Sequence, residues 1–455
     1  MVEDSTIRDE KQFVHRKVLD QYGNTYELVG ELSRGGQGVV YKTSTGDYVV
    51  KQPLDPLGEP DRSRNLENHF NNIRLLPLPK GVHVTLPVAT LEGEPGYVMR
   101  FLDGMKSFAA RFEFDGDVKK KLVADKPELA EWMKSAPNEE QSLLYYHFAK
   151  TGGIRTRLYA LYKCAAELSR LHSAGIVYGD ISPNNVFIQD EIPGQCWLID
   201  ADNMRLEGLR GGKSLLTPGY GAPEVVQRKD ESRPRTDCWA FAVMAYRMLT
   251  TIHPFLGAKV QSPDDDAGDW GSDDGSGICS PDDKAYAGLY PFIDDPSDRS
   301  NAFEGPIPRA LLLTPGLVKL FEETFCSGRT SPWLRPPMRL WAFELAKAHD
   351  ATLACLVCGM SYYSMSGRVA TCPYCDSAHP RFARVKTDRW MKLFMVREKD
   401  RVLFPQRMFS PFSVSSGDAT VASLRFDLKK KPKLDLEQGC LRPGDWKTEY
   451  SEDKE

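Results

Sequence analysis

The stretch Tyr178-Gly179-Asp180-Ile181-Ser182-Pro183-Asn184-Asn185-Val186-Phe187-Ile188 decides how this chain reads. Its last three residues are apolar and β-prone, so a loop carrying Asp180 and Asn185 runs straight into a strand. A second apolar run, Trp197-Leu198-Ile199, ends on Asp200-Ala201-Asp202. Taken singly, Asp and Asn in loops are usually caps or turns. It is their joint order, with a glycine-rich hairpin and a lysine upstream, that argues for a site.

Immediately before the loop, residues 157–172 place Leu158, Leu161, Ala165, Leu168 and Leu171 on one stripe, which predicts an amphipathic helix leading into it. Further upstream, residues 26–50 read as short β-rich segments broken by glycine. They include Leu32-Ser33-Arg34-Gly35-Gly36-Gln37-Gly38-Val39-Val40 and the strand Tyr48-Val49-Val50 that delivers Lys51. Residues 65–76 space Leu66, Phe70, Ile73 and Leu76 as a helix does, and Pro77 stops it. Strand character returns over 84–102. Downstream come Thr217-Pro218-Gly219-Tyr220-Gly221-Ala222-Pro223-Glu224, Asp237-Cys238-Trp239-Ala240-Phe241 and Arg335-Pro336.

In this order the motifs resemble those of Hanks-type serine/threonine protein kinases, over roughly residues 26–349. Phosphoryl transfer needs little covalent chemistry from protein; it needs donors and cations on the phosphates and a carboxylate that aligns the attacking hydroxyl. The resemblance implies a bilobal α+β fold using ATP and Mg²⁺. Gly35, Gly36 and Gly38 would close over the triphosphate, Val40 would pack on the adenine, and Lys51 would grip the α- and β-phosphates. Glu67 would hold Lys51, Met99 would be the gatekeeper, and Phe101 would belong to the hinge formed by Tyr97-Val98-Met99-Arg100-Phe101-Leu102. Asp180 would orient the substrate hydroxyl, while Asn185 and Asp200 would bind Mg²⁺.

The G-D-x-x-x-x-N form of the loop also resembles small-molecule phosphotransferases acting on aminoglycosides or choline, which share the fold. The segment 217–224 separates the two readings, since it resembles the A-P-E end of a protein kinase activation segment. Asp237 would bond the catalytic-loop backbone, and Arg335 would pair with Glu224. A nucleotide-binding pseudokinase is a third reading, opposed by the presence of Lys51, Asp180, Asn185 and Asp200. Departures from the family pattern are Gly179 for an arginine, Ser182 for a lysine, and Ala201 and Asp202 for the last two residues of D-F-G. The pairing of G-D-x-x-x-x-N with I-D-x-D resembles a bacterial subgroup, some members of which stand beside phosphatases and von Willebrand A proteins in stress systems.

Behind this region, Cys355-Leu356-Val357-Cys358 and Cys372-Pro373-Tyr374-Cys375 form two C-x-x-C knuckles, the signature of one tetrahedral Zn²⁺. Four thiolates leave no open coordination position, so a structural zinc ribbon is expected rather than catalysis. Its role is either partner recognition or a clamp between the catalytic region and the C-terminal strands. The six other cysteines are scattered, which disfavours a disulfide framework.

The 455 residues exceed one ordinary compact domain, and 41% hydrophobic with 27% charged residues is typical of globular chains. A net charge of -4 gives no broad basic field, so nucleic acid is not the expected main partner, and the resemblance implies a protein substrate. No signal peptide or membrane-spanning run is read, and a cytoplasmic location is expected. The expected organisation is an N-lobe and hinge over 20–104, a charged helical insertion over 105–156, and a C-lobe over 157–349 with an acidic insertion at 261–301. The zinc ribbon occupies 350–380, and a β-rich segment with a charged tail occupies 381–455. Oligomeric state is not legible.

Overall fold

The computed structural model describes residues 16–35, 38–55, 57–62, 66–190, 194–208, 216–261, 280–364, 371–387, 389–395, 401–408, 420–427, 430–436 and 447–450. Its first part is an antiparallel sheet of β1 (Arg16–Leu19), β2 (Thr25–Gly35), β3 (Gly38–Thr43), β4 (Tyr48–Pro53), β5 (Pro87–Thr90) and β6 (Tyr97–Arg100), in the order β1-β2-β3-β4-β6-β5. The two-residue period of a strand sorts its side chains onto opposite faces. Val50 and Val98, paired across β4 and β6, join Val18, Leu28 and Leu91 in a small core on one face. On the other face, Val49 pairs with Met99 and Lys51 with Tyr97.

Helix α1 (Leu66–Arg74) lies on that second face, burying Phe70 and Ile73. Phe70 meets the Tyr97 ring edge-on at 4.6 Å. With only two buried positions in nine residues, its docking fixes which side chains reach the sheet.

The larger part is helical. After β7 (Met105–Ser107) come α2 (Phe108–Phe112), α3 (Gly116–Asp125), α4 (Glu131–Lys134), α5 (Glu139–Lys150) and α6 (Gly153–Ser173). Helix α6 buries all five residues of its expected stripe and begins four residues before the expected start at Arg157. Two short pairs flank the loop it leads into: β8 (Ile176–Val177) with β11 (Arg205–Leu206), and β9 (Val186–Gln189) with β10 (Cys196–Leu198). Next come α7 (Pro223–Val226), α8 (Pro234–Thr250), α9 (Ala258–Gln261), α10 (Pro281–Tyr286), α11 (Arg309–Leu312), α12 (Pro315–Glu322), α13 (Gly328–Thr330) and α14 (Met338–Asp350).

The segment read as a charged insertion over 105–156 shares the central core through Phe108, Phe112, Met133, Leu143 and Phe148, and β7 pairs with β9. Buried Arg157 ties it down, donating to the carbonyls of Phe112, Phe148 and Gly153 and lying 4.0 Å above the Phe148 ring. Of the acidic stretch expected at 261–301, residues 262–279 lie outside the described residues.

Strands β12 (Thr352–Ala354) and β13 (Ser361–Tyr363) form a hairpin around the first cysteine knuckle. The last part holds two three-stranded sheets. One comprises β14 (Phe382–Lys386), β15 (Met391–Met395) and β19 (Lys447–Tyr450), the other β16 (Arg401–Pro405), β17 (Thr420–Asp427) and β18 (Lys430–Leu436). Among the described residues no helix is long and apolar enough to cross a membrane.

Candidate active site

The loop between β8 and β9 is held from below by Asp237, which is 2% exposed at the start of α8. Its two carboxylate oxygens accept the Tyr178 amide at 2.8 Å and the Gly179 amide at 2.9 Å, and one also accepts His172 Nε2 at 2.9 Å. Burial opposes the charge on His172, but hydrogen bonds with Asp237 and Cys238 and the Asp237 charge raise its pKa to about 9. Gly179 has φ +89°, and a Cβ there would lie 2.9 Å from the Asn203 carbonyl oxygen, so glycine fits where a side chain would collide.

Above this support, Asp180 Oδ1 accepts the Thr217 hydroxyl at 2.8 Å and the Thr217 amide at 3.1 Å. Asn185 Nδ2 donates to Asp180 Oδ2 at 3.0 Å and to the Asp180 carbonyl at 2.9 Å. Burial raises the Asp180 pKa, and these hydrogen bonds partly offset it. Ser182 is buried, and its hydroxyl has no hydrogen-bond partner among the described residues.

Lys51 approaches from the sheet. It is 4% exposed and donates to Asp200 Oδ1 and, at 2.8 Å, to Asp202 Oδ2. Asp202 also accepts the Tyr97 hydroxyl at 2.7 Å, while His69 of α1 donates to its backbone carbonyl at 2.7 Å. Burial works against the charge on Lys51, and the two carboxylates more than restore it, leaving its pKa raised. The carboxylates divide their roles. Burial and then the Asp202 charge push Asp200 up to about 6, whereas Lys51 and Tyr97 overcome burial and hold Asp202 low. Asp200 sits at φ +59°, a left-handed conformation uncommon for a non-glycine residue and concentrated at functional sites.

Gly38 covers Lys51 from β3. A Cβ there would stand 2.8 Å from the Gln52 carbonyl oxygen and 3.3 Å from Lys51 Cε, so the close approach requires glycine. Gly35 ends β2 and pairs with Gly38; Gly36 lies outside the described residues. Val40 is the cross-strand neighbour of Lys51, Met99 is buried opposite Val49, and the Phe101 amide donates to the Asp47 carbonyl at 2.9 Å.

One expected contact does not form. Glu67 is exposed on α1, in a groove with Arg62, Thr90 and Glu94, and Lys51 takes its carboxylates from Asp200 and Asp202 instead. The docking of Phe70 and Ile73 turns His69, not Glu67, toward this cluster. The sequence reading had Tyr97 only as part of the hinge and Asp202 only as a departure from the family pattern, and gave none of Tyr97, Asp202 and His69 a role in holding Lys51. The available signal was Asp202 itself, an acid where the resembling family has glycine.

Beyond the site, Glu224 and Arg335 form a bidentate pair with both contacts at 2.7 Å. Arg335 is fully buried, also donates to the Gly328 and Arg235 carbonyls, and lies 4.9 Å from the Trp239 ring.

The sulfurs of Cys355, Cys358, Cys372 and Cys375 all lie within 4.8 Å of one another, with Cys355–Cys375 at 3.6 Å and Cys358–Cys372 at 3.8 Å. A tetrahedron with Zn–S bonds of about 2.3 Å has edges of about 3.8 Å, so the donor set fits that ion. Amides of Val357 and Cys358 point at the Cys355 sulfur, as a thiolate ligand requires.

Residues 149–268 match the family model of the protein kinase domain. Over 126 residues the chain is 32% identical to the RAC family serine/threonine-protein kinase homolog of Dictyostelium discoideum, covering 26% of this chain and 27% of the relative. It is 30% identical over 120 residues to serine/threonine-protein kinase AtPK2/AtPK19 of Arabidopsis thaliana, covering 26% and 25%. It is 33% identical over 135 residues to atypical protein kinase C of Drosophila melanogaster, covering 28% and 22%. The chain thus spans about a quarter of the length of the curated relatives it matches. The region matched by the protein kinase domain model contains Asp180, Asn185, Asp200, Thr217 and Glu224.

Proposed function

We propose that this chain is an ATP- and Mg²⁺-dependent protein kinase that transfers the γ-phosphoryl group to serine or threonine hydroxyls of protein substrates. The observation that carries the reading is the convergence of Lys51 from the sheet with Asp200 beside a loop in which Asn185 and Thr217 aim the Asp180 carboxylate. The sheet and the helical body act as two lobes, and the nucleotide enters between them.

In this reading Asp180 accepts a hydrogen bond from the substrate hydroxyl and orients its oxygen toward the phosphorus, and Thr217 and Asn185 keep the carboxylate from turning away. Lys51 places its ammonium on the α- and β-phosphates, while Gly35, Gly36 and Gly38 let the backbone close over them. Val40, Met99 and Phe101 face the adenine. Asn185 and Asp200 would hold Mg²⁺, which when bound would supply Lewis-acid stabilisation of charge developing on the phosphates. Asp202 shares with Asp200 the tethering of Lys51 assigned to Glu67 from sequence.

The bidentate Glu224–Arg335 brace beneath residues 217–224 favours a peptide platform, and therefore protein substrates over small alcohols. Cys355, Cys358, Cys372 and Cys375 hold a structural Zn²⁺. The ribbon is a clamp, because the Arg155 amide donates to Ser361 Oγ and Tyr363 donates to the Leu312 carbonyl, joining it to the helical body. A cytoplasmic role in bacterial stress signalling, beside a phosphatase or von Willebrand A protein, rests on the motif pair around Asp180 and Asp200 alone.

Labelled γ-phosphate offered together with a protein mixture and a panel of amino-sugars and small alcohols tests the substrate class. Label is expected in protein bands. Label confined to small molecules would reject the protein-kinase reading in favour of a small-molecule phosphotransferase.

A further inference from the structure

The turn Thr217-Pro218-Gly219-Tyr220 carries the 217–224 segment up to the catalytic loop, and it is held at several points. The Thr217 hydroxyl reaches Asp180, and the Tyr220 amide closes the turn on the Thr217 carbonyl at 3.1 Å. Arg247 of α8 donates to the Tyr220 hydroxyl and lies 5.1 Å from its ring. Between these ties, on the backbone, His253 Nε2 stands 2.9 Å from the Gly219 carbonyl oxygen.

Both nitrogens of that buried ring are committed. A carbonyl oxygen can only accept, so Nε2 carries the proton, while Nδ1 accepts the Phe255 amide at 3.2 Å. The imidazole is therefore the neutral Nε2–H tautomer, because a second proton on Nδ1 would face an N–H. Burial lowers its pKa to about 4 against the Gly219 bond, and the Arg247 charge adds to the lowering, in keeping with that tautomer.

The support behind His253 is packed, and the backbone leading to it is strained. Phe255 is buried and stacks on Trp239 at 5.3 Å, and Trp239 lies 4.9 Å from the Arg335 guanidinium. Two residues before His253, Thr251 closes α8 at φ +65°, a left-handed conformation that is an outlier for a β-branched residue. Such strain persists only where the surrounding structure over-determines it, and it clusters at functional sites. On the other side of the bond Gly219 has φ +81°, and a Cβ there would lie 3.3 Å from the Tyr286 ring, which itself meets the His253 ring at 5.2 Å. Glycine, imidazole and phenol are thus fitted against one another.

A hydrogen bond from a ring fixed at both nitrogens sets where the Gly219 peptide sits, and Thr217 is two residues away. We propose that His253 is a positioning residue for protein phosphorylation: its Nε2–H bond to the Gly219 carbonyl sets the turn that brings the Thr217 hydroxyl to Asp180 and presents residues 217–224 to the acceptor protein. His253 has this role only if the chain phosphorylates protein, and it lies outside every motif quoted from the sequence. Its contacts among the described residues are Gly219, Phe255 and Tyr286, none of them in the sheet that carries Lys51. Acceptor and nucleotide should therefore respond differently to its loss.

The test compares His253→Phe, His253→Asn and His253→Gln in the full chain, using γ-labelled ATP and whichever protein of a mixture the wild type labels most strongly. Phe keeps a ring without a donor, Asn is too short to reach Gly219, and Gln can place an amide N–H near the Nε2 position. Phe and Asn are expected to raise KM for the acceptor protein about fivefold or more, with KM for ATP within about twofold of wild type, and Gln to recover most of the loss. Melting temperatures are read beside the kinetics, and if His253→Phe does not fold, the contrast between Asn and Gln decides. An acceptor KM in the folded Phe and Asn variants equal to wild type, a KM for ATP rising in step with it, or a Gln variant no better than Asn would overturn this role and leave the protein-kinase reading standing. A wild type that labels no protein would overturn both.

Discussion

Asp202 is the residue on which the electrostatics of the candidate site turn. A buried ammonium needs anionic partners, and Lys51 finds two of them 149 and 151 residues away. Because Tyr97 and Lys51 stabilise its charged form, Asp202 remains an anion, while Asp200 carries the raised pKa of the pair. Asp202→Asn should therefore raise KM for ATP about tenfold or more and lower kcat, whereas Glu67→Ala should change both by less than about twofold. Steady-state kinetics of the two variants decide it; equal losses would return the tether to helix α1. The sequence made Lys51, Asp180, Asn185 and Asp200 legible because each adjoins a local apolar run that any strand reading finds. It hid the Asp202 contact because that depends on how a nine-residue helix with two buried positions rotates against a sheet.

At the scale of elements, the catalytic loop is supported by its two flanking helices, α6 through His172 and α8 through Asp237. The folded pKa of His172, about 9, lies above its ordinary value of 6.5, so its charged form favours the fold. That stabilisation is complete below pH 6.5 and is lost as pH rises through about 9. We expect the wild-type protein to lose on the order of 2–3 kcal/mol across that window, and His172→Gln to show a flatter profile in urea unfolding. A slope unchanged in the variant would remove His172 from this role. Glu224 and Arg335 brace another joint, and Glu224→Ala strands a fully buried guanidinium with only carbonyl partners. Its expected cost is about 3–5 kcal/mol, read from the shift in urea midpoint. Helix α6 was readable in advance because its apolar stripe is unbroken from Leu158 to Leu171. Residues 105–156 were harder, since Phe108, Phe112, Met133 and Phe148 are spread among charges over several short helices, and their burial depends on the surface they meet.

Across the whole molecule, the cysteine hairpin stands between the helical body and the last two sheets. Its contacts run inward through Ser361 and Tyr363, and Asp350 collects Lys392 of β15 and Arg407 of the helical turn after β16. Elemental analysis should find one zinc ion per chain, and Cys372→Ser should lose it. Metal-stripped protein should melt about 5 °C or more below the loaded form, since an ion bound only by the folded chain stabilises it. Identical melting curves would make the four thiols a packing feature. The knuckles announced themselves by spacing alone.

The account stands most directly on transfer of labelled γ-phosphate to protein by wild type, Asp180→Ala and Asp200→Ala under the same ATP and Mg²⁺. It predicts a loss of about 100-fold or more in either variant, with folding preserved by circular dichroism. Incorporation by either variant at the wild-type rate would contradict it.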